Sequence, residues 1–312
     1  MKKLIYLAAV AVLIGACTSS KEITVASNVT VQIDTRPVIE AFTPWNEKGL
    51  DMYDGTKLSI YCYFYDMEGN LVEKGAGQIS DYAVASWNIE GLSRGDYQVL
   101  CVSFAEDDES SPYSLMNTSR LDSFEISQEY YTTFYSNWSC LGLAYEKVTV
   151  GDEASIALSL EPACAYVRVD YSDMTLINDG KADGASFWFK GNANLNFRNG
   201  AVHYYTELST NGYYTTNASM PEGDYTGIYE TFFFLPNANM EYKAFYLFGE
   251  EEYNEFGTGT LAIEAGKQYK FDIDCPSQTI TVETTSKSAA VPEYLGTSTS
   301  SLKIREYYGI SR

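Results

Sequence analysis

The chain of 312 residues contains one side chain whose setting specifies a reaction. Cys17 follows Ile14-Gly15-Ala16 at the end of an unbroken apolar run over residues 4–14, and Lys2 and Lys3 precede that run. A basic head, a short apolar stretch and small residues before a cut make a secretory leader. The run is too short to span a bilayer, which takes about 20 apolar residues. Cleavage before Cys17 would leave its thiol at the first mature position, where it can take a diacylglycerol. Two or three acyl chains exceed what stable membrane anchoring requires. Residues 1–16 are therefore expected to be a signal peptide, and residues 17–26 a lipidated linker that opens on the polar stretch Thr-Ser-Ser-Lys-Glu. Such a stretch acts as a flexible leash.

Other chemistries find little support. A Ser-His-Asp system, a Cys-His pair or a histidine metal site would each have to use His203, the single histidine. Gly91-Leu92-Ser93-Arg94-Gly95 has the spacing Gly-x-Ser-x-Gly but leads into a strand pattern rather than a helix, so it is not a nucleophile elbow, and with no metal-binding histidine pair His203 is read as structural. Paired carboxylates converge in space rather than in sequence, and nothing singles out two of the 42 acids. Gly191-Asn192-Ala193-Asn194 lacks the Gly-x-Gly pattern and the lysine of a phosphate loop. The acidic runs at residues 106–109 and 250–252 lack the spaced ligands of a calcium loop and read as solvated loop tips. The expectation is a chain with no catalytic residues, no metal and no cofactor.

Beyond Cys17 there are five cysteines, at 62, 101, 140, 164 and 275, with no C-x-x-C spacing. Cys62 and Cys101 fall inside strong strand patterns, where a buried free thiol behaves as a small hydrophobe, and that reading is preferred to a disulfide. An exported compartment would nonetheless permit a bridge. Aromatic clusters are the remaining candidates for binding. Tyr130-Tyr131-Thr132-Thr133-Phe134-Tyr135 with Trp138, and Tyr204-Tyr205 with Tyr213-Tyr214, either fill a core or offer stacking platforms for sugars. Tyr131 and Trp138 are the candidate ligand-binding residues under the second reading.

Loss of Lys2 and Lys3 with the leader, which holds no acid, takes the net charge from −21 to −23. So acidic a body does not select nucleic acid or an anionic lipid surface, both of which attract basic patches. Twenty-seven tyrosines and fifteen phenylalanines suit pleated, half-buried surfaces. Period-2 alternation recurs at residues 29–33, 58–65, 97–104, 154–160 and 166–171, and no helix of several turns stands out. Asp66-Met67-Glu68-Gly69-Asn70 reads as a turn between two strands.

A faint duplication runs through these strands. Val31-Gln32-Ile33-Asp34 matches Val167-Arg168-Val169-Asp170, and Ile60-Tyr61-Cys62-Tyr63-Phe64 matches Ser186-Phe187-Trp188-Phe189. Residues 151–160 match 266–275, and Gly95-Asp96-Tyr97 matches Gly223-Asp224-Tyr225. In the last element, glycine supplies the turn, aspartate bonds nearby backbone, and tyrosine begins a strand with an amphipathic ring. Short strands with regular turn signals favour β-sandwiches. The expected architecture is all-β, with one sandwich over residues 27–161 and a second over 162–282. Residues 283–312 form a tail, read as a flexible end, an extra strand on the second domain or a strand donated to a partner.

With Ile14-Gly15-Ala16-Cys17, the segment Tyr63-Phe64-Tyr65-Asp66-Met67-Glu68-Gly69-Asn70-Leu71-Val72 and Gly91-Leu92-Ser93-Arg94-Gly95-Asp96-Tyr97, the chain resembles the Bacteroidetes fimbrillin superfamily. Within that superfamily it is most similar to fimbrial-anchor and fimbrillin-like lipoproteins. The resemblance implies two tandem transthyretin-like sandwiches on a palmitate-bearing lipid anchor at the outer membrane, outside the cell. It also implies partnership with fimbrial subunits by β-strand addition. The alternative is a glycan-binding outer-membrane lipoprotein of a polysaccharide-uptake system.

Overall fold

A computed structural model describes residues 26–42, 57–106, 111–128, 140–151, 153–173, 184–198, 200–205, 213–219, 228–248, 252–274, 277–285 and 299–301. The described residues are almost entirely β, as the alternation predicts. The longest described α-helix is α1 (Arg36–Glu40), five residues with Pro37 near its start.

Strand β1 (Ala26–Asp34) shows how alternation becomes packing. Val29, Val31 and Ile33 are fully buried, whereas Gln32 between them is exposed. Each such apolar side chain taken out of water contributes about 1.5–3 kcal/mol. β1 lies between β4 (Val84–Ser93), which is antiparallel to it, and β9 (Glu153–Ser159), which is parallel. The facing sheet runs β10 (Glu161–Pro162), β8 (Gly142–Val150), β5 (Gly95–Glu106), β2 (Lys57–Tyr65), β3 (Leu71–Ile79). Val31, Ile33 and Ala85 from one sheet share a core with Ile60, Phe64 and Val99 from the other, which makes a sandwich. Between β2 and β3, Gly69 takes φ +81° and the Asn70 N–H donates to Asp66 Oδ1 at 2.8 Å. The Asn70 side chain also bonds Asp66 and holds its carboxyl below the usual carboxylate range.

The second half repeats this plan. β11 (Ala165–Asp173) lies between antiparallel β16 (Ile228–Phe234) and parallel β19 (Gln268–Asp274), with β20 (Thr279–Thr285) outside β19. The facing sheet runs β15 (Tyr213–Ser219), β12 (Gly184–Lys190), β17 (Asn237–Phe248), β18 (Glu252–Ile263). Val167, Val169 and Phe271 pack against Phe187, Phe189 and Met240 in a second core. Strands β1 and β11, β2 and β12, and β9 and β19 occupy equivalent positions, so the first three matches in the sequence are matches of topology. The Gly-Asp-Tyr pair differs. Gly95 opens β5, whereas residues 223–225 precede β16, whose counterpart in the first half is β4. Residues 220–227 lie outside the described residues.

Tyr242 and Gly259 pair directly across β17 and β18. The tyrosine ring stacks on Phe187, 5.8 Å between centroids, and meets Phe271 edge-on at 5.1 Å. Held between these rings, it lies over the bare backbone of Gly259, and a Cβ there would overlap the phenol. Overpacking a core edge of this kind costs about 1–3 kcal/mol. Gly259→Val is expected to lower the urea midpoint accordingly, and an unchanged midpoint would contradict this placement of Tyr242.

A fifth sheet crosses between the halves. It runs β14 (Ala201–Tyr205), β13 (Asn194–Arg198), β7 (Glu125–Gln128), β6 (Tyr113–Met116). Leu195 opposes Ile126 in it, and Leu195 and Phe197 enter the first core beside Phe124. Near it, Phe42 packs at 5.2 Å from Phe233 and 6.1 Å from Tyr166. Two buried amides complete the join: Gln268 Nε2 donates to the Ala41 carbonyl, and Gln128 Nε2 to the Phe233 carbonyl, each at 2.9 Å.

Candidate functional site

Cys17, Tyr131 and Trp138 lie outside the described residues. His203 sits exposed on β14, its Nε2 3.3 Å from the Arg198 carbonyl oxygen, at the turn of its own hairpin. No group of three or more His, Cys, Asp or Glu among the described residues could hold a metal ion. No helix among them is long and apolar enough to cross a membrane.

Of the aromatic platforms, Tyr204 is placed clearly. It packs against the first core, and burial pushes its phenol up to about 12. This ring acts as packing.

The polar cluster most like a reactive centre lies at one end of β2 and β5. Ser59 Oγ donates to Glu106 Oε1 at 2.5 Å, Tyr61 OH donates to the same oxygen at 2.8 Å, and Gln78 Nε2 donates to Ser59 Oγ at 3.1 Å. Burial, then the Glu106 charge, raises the Tyr61 phenol far above its ordinary range, so it stays protonated and donates. With Ser59 donating to the carboxylate and no imidazole beside it, the cluster ties three neighbouring strands together.

Gly95-Asp96-Tyr97 forms a corner, as its residue types suggested. Tyr97 OH donates to the Ser93 carbonyl at 2.7 Å, and Asp96 Oδ1 accepts from Thr149 Oγ1 at 2.6 Å. A tyrosine hydroxyl returning to backbone a few residues upstream is a known device for fixing a sandwich corner. Here it sets the crossing from β4 to β5 and so fixes how the outer side of β4 is presented.

That outer side is the candidate site. β21 (Thr299–Ser301) lies parallel to β4 with Thr299 opposite Val84, Ser300 opposite Ala85 and Ser301 opposite Ser86. A strand from the far end of the chain thus joins the first sandwich. Among the described residues it takes up three of the ten positions of β4 and leaves residues 87–93 without a strand on that side. An edge of this kind presents unpaired backbone groups, a template for a further strand. The side chains of this segment alternate: Trp87, Ile89 and Leu92 turn inward, and Asn88 and Glu90 outward.

Neither a protein-family model nor a curated protein matches the chain. Solved structures do. A Bacteroides thetaiotaomicron protein described as a candidate polysaccharide-binding protein (DUF1812) superposes with a TM-score of 0.53 at 11% identity, over 84% of this chain and 98% of its own. This likeness shows the fold. A candidate cell-adhesion protein from Bacteroides eggerthii gives 0.47 at 13% identity, over 83% and 95%. The fimbrial anchor protein Mfa2 from Porphyromonas gingivalis gives 0.45 at 12% identity, over 84% and 98%.

The sequence left the tail as a flexible end, an extra strand on the second domain or a donated strand; β21 lies instead on the first sandwich, beside β4. The short run Thr299-Ser300-Ser301 lacks hydrophobic alternation.

Proposed function

We propose that this chain is a cell-surface lipoprotein of a fimbrial or adhesive assembly, serving as an anchor, accessory or tip subunit without catalytic activity. Acylated Cys17 holds it in the outer membrane. Two sandwich domains, residues 27–161 and 162–282, stand off that anchor on the 17–26 linker, and neighbouring subunits join by strand addition. The observation that carries this reading is β21 on β4: the first sandwich accepts an added strand alongside its core sheet. Recognition by main-chain hydrogen bonds with alternate side chains in pockets is the general mode of β-augmentation. The sequence resemblance to fimbrial lipoproteins and the shared fold support the same assignment.

The test uses the tail as a probe. A chain lacking residues 299–312 should bind a labelled peptide spanning residues 296–310, read by fluorescence anisotropy, whereas the full chain should bind it at least tenfold more weakly. Tagged full-length protein captured from intact cells should bring fimbrial subunits with it. A truncated chain that ignores the peptide, together with recovery of the full chain only as a free monomer, would overturn the proposal.

A further inference from the structure

Cys62 and Cys101 stand directly opposite one another on the antiparallel neighbours β2 and β5. Both are fully buried, and their Sγ atoms lie 2.9 Å apart. That is closer than non-bonded heavy atoms usually settle, about 3.5–4.0 Å for carbon pairs. Directly opposed residues of an antiparallel ladder have Cα atoms about 4.5–5.5 Å apart, inside the 4.4–6.8 Å range that a disulfide spans. The other buried pair is different. Cys140 and Cys164 Sγ are 4.0 Å apart, the Leu141 N–H donates to Cys164 Sγ at 3.3 Å, and the Cys140 thiol lies 3.8 Å from the Val38 carbonyl.

We propose that Cys62 and Cys101 are joined by a disulfide in the exported, folded protein, while Cys140 and Cys164 remain thiols. The inference rests on the export reading, because disulfides persist in oxidising compartments. The oxidant is a protein of the dithiol–disulfide class in the receiving compartment. One cysteine thiolate attacks its disulfide and forms a mixed disulfide, releasing one donor sulfur as a thiol. The second cysteine thiolate then attacks the linked sulfur of this chain, closing the Cys62–Cys101 bond and releasing the donor as a dithiol. Two electrons pass to the donor, and the two thiol protons balance its two sulfurs. The exchange belongs to folding rather than to the finished protein, since both sulfurs lack access to solvent and burial raises the Cys101 thiol. The closed loop links positions 39 apart and staples the middle of the five-stranded sheet, restricting the unfolded chain.

The bond can be mapped without any variant. Membrane-bound protein is isolated from cells quenched with N-ethylmaleimide, denatured in the same reagent without reductant, and digested with trypsin. Lys74 and Arg94 lie between the two cysteines, so their peptides separate unless linked. The expected result is one linked peptide pair containing Cys62 and Cys101, with maleimide on Cys140 and Cys164. Maleimide on both Cys62 and Cys101 would overturn the inference. A chain recovered with residues 1–16 attached and no acyl mass would count against export instead. In that event, purified protein refolded with oxidised glutathione decides: a Cys62–Cys101 link sustains the pairing, and its absence ends it. Reduction in denaturant and refolding should lower the melting temperature of the bridged protein by about 5–10 °C and leave a C62A/C101A double variant unmoved.

Discussion

A Cys17→Ala chain is expected to take up no labelled palmitate and to leave the membrane fraction almost completely. The size of the effect follows from what acyl chains contribute compared with a basic patch or a spanning helix. Each buried acyl CH₂ contributes about 0.8 kcal/mol, and two or more chains hold a protein stably where one gives only marginal binding. The usual second signal is a polybasic patch, worth about 1 kcal/mol per residue near an anionic surface. The mature chain carries a net charge of −23 by the count above, so its body is repelled where such a patch would attract. None of its described helices is long and apolar enough to cross. Metabolic labelling with a palmitate analogue, followed by separation of soluble and membrane fractions, checks this. Retained label, or a variant that still sediments with membranes, would remove Cys17 from its assigned role.

Phe42→Ala is expected to destabilise the protein by about 3–5 kcal/mol, the usual cost of emptying a buried phenylalanine site. Phe42 is wholly buried, and its neighbours Tyr166 and Phe233 pack on one another at 5.4 Å, leaving little room to collapse into the space. The loss should spread beyond the first core, because the carbonyl of the adjacent Ala41 takes the Gln268 amide and the Phe233 carbonyl takes the Gln128 amide. In a urea titration, tyrosine fluorescence and far-UV circular dichroism should show a lower midpoint for the variant, with Phe42→Leu intermediate. A midpoint within experimental scatter of the parent would mean that Phe42 does not join the halves.

The strands were legible in the sequence wherever one face is buried and the other wet. Residues 58–65 were read as a strand, and β2 runs Lys57–Tyr65; the Asp66–Asn70 turn lies where its glycine and asparagine placed it. The duplication was visible where the same inward positions recur, as in Val31 and Ile33 against Val167 and Val169. Gly223-Asp224-Tyr225 lies outside the described residues, and the strand that follows it, β16, pairs with β11 as β4 pairs with β1. The fifth sheet, between the halves, was invisible for a different reason. Ile126 and Leu195 are each ordinary apolar strand residues, and their pairing is decided only when two separate hairpins meet. Cys62 and Cys101 looked like small hydrophobes because burial is all that alternation reports; register places them face to face.

The position of β1 has a mechanical consequence. Were Cys17 acylated as proposed, tension on it would reach the described residues at Ala26, the first residue of that strand. β1 is an inner strand, paired with β4 along its whole length and with β9 from Asn28 to Asp34. A pull along its axis loads both ladders in shear, and their hydrogen bonds must yield together rather than open one after another as in a peeled edge. A tether attached here would hold a surface structure against drag, because the strand that would bear the load is clamped on both sides.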